Sequence, residues 1–312
     1  MVFYLEELTI RLATGISHFA EEDRLQLVDV LLAAQQPDGG FSGREGPSDL
    51  YYTSFALRGL AVLGALHGDV ADRSTSFLQQ RLQGEASIVD FFSLIYAAAL
   101  LESAAGIDIY AGADRNWPDR VADQLEQLRR DDGGYAKAPE GVASSTYHSF
   151  LALLCRQLVK RPIASPDKLV EFLYSQQADE GGFHEIRVSK RAGTNPTAAA
   201  IAALQILDAL DDETRQRTAD FLAGMQTDEG GLRANTRIPI ADLLSTFTGL
   251  LTLGELAALE MIDDAAALRY ARSLQQPCGG FFGAAWDEQV DVEYTFYGIG
   301  TCALISAAHH DR

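Results

Sequence analysis

The segments QQPDGGF (35–41), RRDDGGY (129–135), QQADEGGF (176–183), MQTDEGGL (225–232) and QQPCGGF (275–281) each close an apolar-periodic stretch with a pair of glycines. The second glycines fall at Gly40, Gly134, Gly182, Gly231 and Gly280, at spacings of 94, 48, 49 and 49 residues. The first gap is double the others. Its middle holds FLQQRLQGEASIVDFFSL (77–94), where a lone Gly84 stands in place of the pair. Six copies of about 48 residues therefore account for nearly all of the chain, and a repeat of this length is one supersecondary unit stacked on its neighbours.

Each copy carries two helices of different character. Residues 21–36, 166–178, 212–226 and 262–276 place apolar side chains at spacings of three and four with charges opposite, the pattern of a helix with one wet face. After each glycine pair comes a loop of about ten residues, then an almost wholly apolar run: LYYTSFALRGLAVLGAL (50–66), TAAAIAALQILDAL (197–210) and LLSTFTGLLTLGEL (243–256). A helix apolar all round is buried all round. Asp49, Ser145, Asp242 and Asp291 stand immediately before such runs and suit helix N-caps. One glycine of each pair is expected to supply the left-handed cap that ends the outer helix. The sum is an all-α chain, an α6/α6 toroid in which six inner helices are wrapped by six outer ones. It would fill residues 1–312 as a single domain with an N-terminal lead-in helix.

Composition narrows the partners. Of 312 residues 44 are acidic and 25 basic, a net charge of −19, which argues against nucleic acid and anionic membrane surfaces. Cys155, Cys278 and Cys302 are widely spaced, form no disulfide framework and suit a reducing compartment, so a cytoplasmic location is expected. The N-terminus reads as an amphipathic helix rather than a signal peptide, and no run of about 18 apolar residues suggests a membrane span.

Parallel inner helices would bring their N-termini and the glycine loops to one mouth, where backbone N–H groups favour an anion. In a strongly acidic chain, two successive post-glycine loops are rich in cations: HEIRVSKRAGTN (184–195) holds Arg187, Lys190 and Arg191, and LRANTRIPIAD (232–242) holds Arg233 and Arg237. Arginine forks suit a diphosphate; a solvated basic patch or a docking surface for an acidic partner is the alternative. The first turns of the inner helices supply aromatic residues. Tyr51, Tyr52, Phe92, Tyr147, Phe247 and Tyr294 could wall a channel for a hydrocarbon, or simply pack helix on helix.

The glycine pair with its following aromatic, then D-x-x-x-T and an apolar helix, resembles the beta subunit of protein prenyltransferases, most closely the geranylgeranyl type. Triterpene cyclases share the toroid but place Trp after the glycine and have two such domains. The resemblance implies an isoprenoid diphosphate ligand, a peptide or small-molecule acceptor and a helical partner subunit. It also implies one zinc, held by the Asp and Cys of D-x-C and a His in the last repeat. Those positions read Asp242, Leu244 and Tyr294 here. Only the Asp is kept, so neither zinc nor any other metal or cofactor is expected. The family's His-Ala-Gly that contacts diphosphate reads Arg191-Ala192-Gly193. The expectation is a prenyltransferase-like enzyme without zinc, with Asp242 and Arg191 as its catalytic pair. The alternatives are a class II terpene cyclase, for which Glu293 in DVEYT (291–295) would be the acid, and a non-catalytic isoprenoid-binding scaffold subunit.

Overall fold

The computed structural model describes residues 3–82 and 87–310; Gly84 lies outside them. Among the described residues there are thirteen α-helices and no strand. The chain divides into two compact units, one formed by Met1–Trp117 with Ala271–Arg312, the other by Pro118–Tyr270.

The first unit holds the lead-in helix α1 (Tyr4–Ile16), the outer helices α2 (Glu21–Ala33) and α4 (Asp69–Gln79), and the inner helices α3 (Leu50–Val62), α5 (Ile88–Ala105) and α13 (Val292–His310). Helix α3 lies between α5 and α13, and α1 packs along α13. That last contact is close: a Cβ on Gly15 would stand 2.0 Å from the Ala303 carbonyl oxygen. In the second unit, outer helices α6 (Trp117–Gln127), α8 (Pro166–Ser175) and α10 (Asp212–Ala223) alternate with inner helices α7 (Thr146–Leu158), α9 (Thr194–Ile206) and α11 (Leu243–Glu255). Helix α9 packs against both α7 and α11. Helix α12 (Asp264–Ser273) runs across the division.

The repeat motif is a hydrogen-bonding scheme. Asp49, Ser145, Asp242 and Asp291 accept the N–H of the residue three positions on, at 2.8, 3.1, 2.7 and 2.8 Å. One position beyond each of those N–H donors, the hydroxyl of Thr53, Ser149, Thr246 or Thr295 accepts the N–H of Phe41, Tyr135, Leu232 or Phe281, the residue after the glycine pair. D-x-x-x-T thus caps the inner helix and pins the turn that precedes it, whose buried N–H groups would otherwise be unpaired.

The glycines act differently from expectation. The outer helices end before the glycine pair, with right-handed cap residues such as Ala34 and Gln176. The left-handed residue is the first glycine of each pair, at φ +89 to +98°, inside a tight turn. In the first copy the Gly39 N–H donates to Gln36 O and the Gln36 N–H returns to Gly40 O, both at 2.9 Å. The pair is therefore a turn element rather than a helix cap. It is also a packing element. A Cβ on Gly230 would lie 2.4 Å from Ala266 O, and one on Gly231 2.4 Å from the Tyr270 ring.

Helix α5 corrects a second expectation: by length and composition it is apolar enough to cross a membrane. Its 18-residue window is 56% buried within the protein, as in a core helix.

Candidate functional site

In the second unit the two cationic loops touch. The Thr194 N–H donates to Ala234 O at 2.9 Å, and its hydroxyl donates to Arg233 O at 2.7 Å. The Arg191 guanidinium donates to the Thr236 hydroxyl at 3.1 Å. Arg187, Lys190, Arg191 and Arg237 are exposed, and Arg233 is half-buried with one N–H on the Gly224 carbonyl at 3.0 Å. Among the described residues none of the five forms an ion pair, whereas Arg44, Arg73, Arg129, Arg156, Arg161, Arg217 and Arg269 all do. In a chain of this charge, five cations on touching loops with no carboxylate paired to them are an arrangement that favours an anion.

Asp242 ends the second loop and heads α11. One carboxylate oxygen accepts the Ser245 N–H at 2.7 Å and the other its hydroxyl at 2.8 Å. Burial pushes its pKa up against these bonds. Of the aromatic residues expected to wall a channel, Tyr147 is 38% exposed at the head of α7, and Phe247 is buried in α11. Beside Tyr147, the Ser145 hydroxyl donates to Glu185, whose carboxyl is raised by burial, and the neighbouring His148 is lowered by burial and by Lys137.

These residues do not fit zinc. Both Asp242 oxygens are engaged by Ser245, and Leu244 offers no donor atom. Cys155 and Cys302 are buried and Cys278 is exposed. Among the described residues no three His, Cys, Asp or Glu side chains converge as a metal site would need.

The first unit gathers the other aromatic residues. The Tyr51 ring meets Tyr52 at 5.2 Å and Phe55 at 5.0 Å, edge on in both cases. Phe55 lies 5.7 Å from Phe296 and 5.2 Å from Tyr297, and Phe92 lies 5.6 Å from Tyr96. Tyr52 and Tyr294 each cover a glycine of their own loop; a Cβ on Gly43 would stand 2.5 Å from the Tyr52 ring, and one on Gly283 2.7 Å from the Tyr294 ring. Two charged features accompany the rings. The Tyr51 hydroxyl donates to Glu293 at 2.6 Å, and burial raises that carboxyl. Arg44 donates to Asp291 at 2.9 Å and, through two nitrogens, to Asp287. At Asp291 burial wins and the pKa is raised. At Asp287 burial is outweighed by Arg44 and by the N–H groups of Gly283 and Gln289, and the pKa is lowered.

Sequence reasoning missed Arg44 and Arg58. Arg44 sits in the post-glycine loop of the first copy, outside the two cation-rich loops. Arg58 was visible as the one charge in LYYTSFALRGLAVLGAL, yet three of the four rings around it, Phe92, Tyr96 and Phe296, come from other helices.

Comparison with known proteins bears on the fold. Residues 2–231 and 197–311 match the prenyltransferase alpha-alpha toroid domain. A farnesyltransferase beta subunit from Pisum sativum is 27% identical over 69% of this chain and 50% of its own length. The corresponding subunit of Schizosaccharomyces pombe is 23% identical over 65% of this chain and 54% of its own. The chain spans about half the length of the curated relatives it matches. Among solved structures, a variant of the type II terpene cyclase MstE from Scytonema, with geranylgeranyl dihydroxybenzoate as substrate, superimposes with a TM-score of 0.64 at 14% identity, over 98% of this chain and 99% of its own. Geranylgeranyltransferase-I of Candida albicans, complexed with GGPP, gives 0.57 at 15% identity, over 96% of this chain and 84% of its own. At such identities the structural likeness is one of fold. The chain belongs to the family of prenyltransferase alpha-alpha toroid domains.

Proposed function

We propose that the protein binds an isoprenoid diphosphate and transfers its prenyl group without zinc. The observation that carries this reading is the set of five cations on two touching loops, free of ion pairs among the described residues in a chain of net charge −19. In this reading Arg187, Lys190, Arg191, Arg233 and Arg237 take the diphosphate, and Tyr147 is the aromatic residue of that unit open to the hydrocarbon. The allylic C1–O bond breaks with its electron pair leaving on the diphosphate, whose growing charge the guanidinium groups stabilise. A nucleophile on a peptide or small acceptor bonds to C1 and releases its proton to solvent, and Asp242 orients the acceptor. The relatives include beta subunits and a geranylgeranyltransferase, so a helical partner subunit belongs to the proposal. The test is diphosphate release from geranylgeranyl diphosphate in EDTA: release slowed at least about tenfold by Arg191→Ala supports it, and dependence on added zinc contradicts it.

One observation favours a second reading, protonation of an alkene as in a class II cyclase. Glu293 is a half-buried carboxyl with raised pKa, hydrogen-bonded by Tyr51 among aromatic side chains. A cyclised product from a polyene without diphosphate, abolished by Glu293→Gln, would select this reading. Release of diphosphate with no ring formed would reject it.

A further inference from the structure

The post-glycine loops of the second unit each hold a tight turn, and these turns present apolar side chains to water. The Ser189 N–H closes on Ile186 O at 2.9 Å, which sets Val188 at the third position of its turn. In the next copy the Ile238 N–H closes on Asn235 O at 3.1 Å, and in the preceding one the Gly141 N–H closes on Ala138 O at 2.9 Å, just before Val142. Val142 is 95% exposed, Val188 80%, Ile240 41% and Ile238 39%. The corresponding turn of the last copy, Asp287 N–H on Ala284 O at 3.0 Å, carries Trp286 at 70%. Turns ordinarily take Gly, Pro, Asn, Asp or Ser at such places. A single exposed valine on a protein surface is commonplace, but an exposed apolar residue at the same place in four loops is a pattern. Side chains this open to solvent add little to the core.

The charge around these side chains is equally uneven. Residues 186–192 and 233–241 hold Arg187, Lys190, Arg191, Arg233 and Arg237 and no Asp or Glu, in a chain with 44 acidic against 25 basic residues. Arg191 on Thr236 and Thr194 on Ala234 join the two loops. The net charge of −19 opposes adsorption of the chain as a whole to an anionic surface. At a Debye length of about 8 Å, however, the charges nearest the contact count most, and the expectation drawn from net charge does not extend to this face. A protein partner would ask for a contiguous, closely packed apolar patch. Single apolar side chains on loop tips, flanked by arginine and lysine, suit a bilayer interface instead. There the tips enter the headgroup boundary while the cations stay level with the phosphates.

We infer that the turns bearing Val188, Ile238 and Ile240, with the cations of the same two loops, form a face that docks the protein peripherally on an anionic phospholipid bilayer. The apolar side chains enter the interface without spanning it, and the guanidinium and ammonium groups contact lipid phosphates. The inference does not rest on the proposed function, since docking needs neither diphosphate nor turnover.

The test is co-sedimentation of the full chain, without isoprenoid, with vesicles of phosphatidylcholine alone and of equal parts phosphatidylcholine and phosphatidylglycerol. The expected result is binding about tenfold or more tighter to the anionic vesicles, weakened by added salt. Val188→Ser combined with Ile240→Ser leaves every cation in place and should weaken that binding about tenfold or more. Both positions are exposed, so the double variant should keep the wild-type Tm. A second readout is Val188→Trp, whose added indole should shift its emission to shorter wavelength on anionic vesicles. No binding to anionic vesicles, equal binding to both kinds, affinity indifferent to the Ser substitutions, or an unshifted indole would each overturn the inference. The first of these is also what a docking face for an acidic protein would give. Titration with geranylgeranyl diphosphate can fail without touching this result.

Discussion

The Tyr51 hydroxyl, on the first turn of α3, donates to the Glu293 carboxylate on the first turn of α13 at 2.6 Å. The bond joins the inner helices of the first and last copies within one unit. Burial raises the Glu293 pKa, so the folded protein holds this proton more tightly than the unfolded chain does. The associated stability is fully present below the carboxylate's unfolded pKa, about 4.3, and is lost as pH rises through the higher folded value. Glu293→Gln removes that loss while leaving an acceptor for Tyr51. Thermal denaturation should show the variant about 2 °C or more above wild type at pH 8, with the gap closing near pH 4. A constant gap, or none, would show that the carboxyl is not strained by burial.

Asp242 has two roles that substitution can separate. As the cap of α11 it is replaceable by Asn, so Asp242→Asn should change stability little, and Asp242→Ala should cost about 1 kcal/mol in denaturant unfolding. If Asp242 also orients the acceptor, both variants lose turnover. Turnover retained in Asp242→Asn would reduce the residue to a cap.

Arg44 is the counter-ion of two carboxylates with side chains 7 and 4% exposed. Arg44→Met leaves both charges without a partner, and urea unfolding at pH 7 should show a loss of about 3 kcal/mol. Adding Asp287→Asn and Asp291→Asn should recover part of it. An additive further loss would mean that the ion pairs are not what holds the two loops together.

Two glycines at the same φ separate strain from collision. A Cβ added at Gly46 (φ +95°) would meet nothing within 4 Å, whereas one at Gly230 (φ +96°) would meet Ala266 O at 2.4 Å. Gly46→Ala should cost about 1 kcal/mol and Gly230→Ala clearly more, because a backbone carbonyl cannot step aside. Equal costs in urea unfolding would remove the packing role assigned to the turn.

The helices and caps were legible because each is a local pattern: a short polar residue before an apolar run, with period and charge choosing the face. Asp49, Ser145, Asp242 and Asp291 all act as read. The glycine pair was legible as punctuation, but its mechanism was not, since a left-handed glycine serves a helix cap and a tight turn alike. The functional residues divide the same way. Arg191 and Arg237 stand out in a loop against an acidic background. Arg58 meets four rings from three helices, and no local pattern encodes that. The pairing of Arg44 with Asp287 and Asp291 joins opposite ends of the chain and is equally silent in sequence.

The central claim is that the unpaired loop cations receive a diphosphate. Calorimetric titration with geranylgeranyl diphosphate, with and without zinc, on wild type and Arg191→Ala tests it most directly. The account predicts zinc-independent binding that Arg191→Ala weakens about tenfold or more, with thermal stability unchanged because the side chain is exposed. Binding that requires zinc, or affinity indifferent to Arg191, would contradict it.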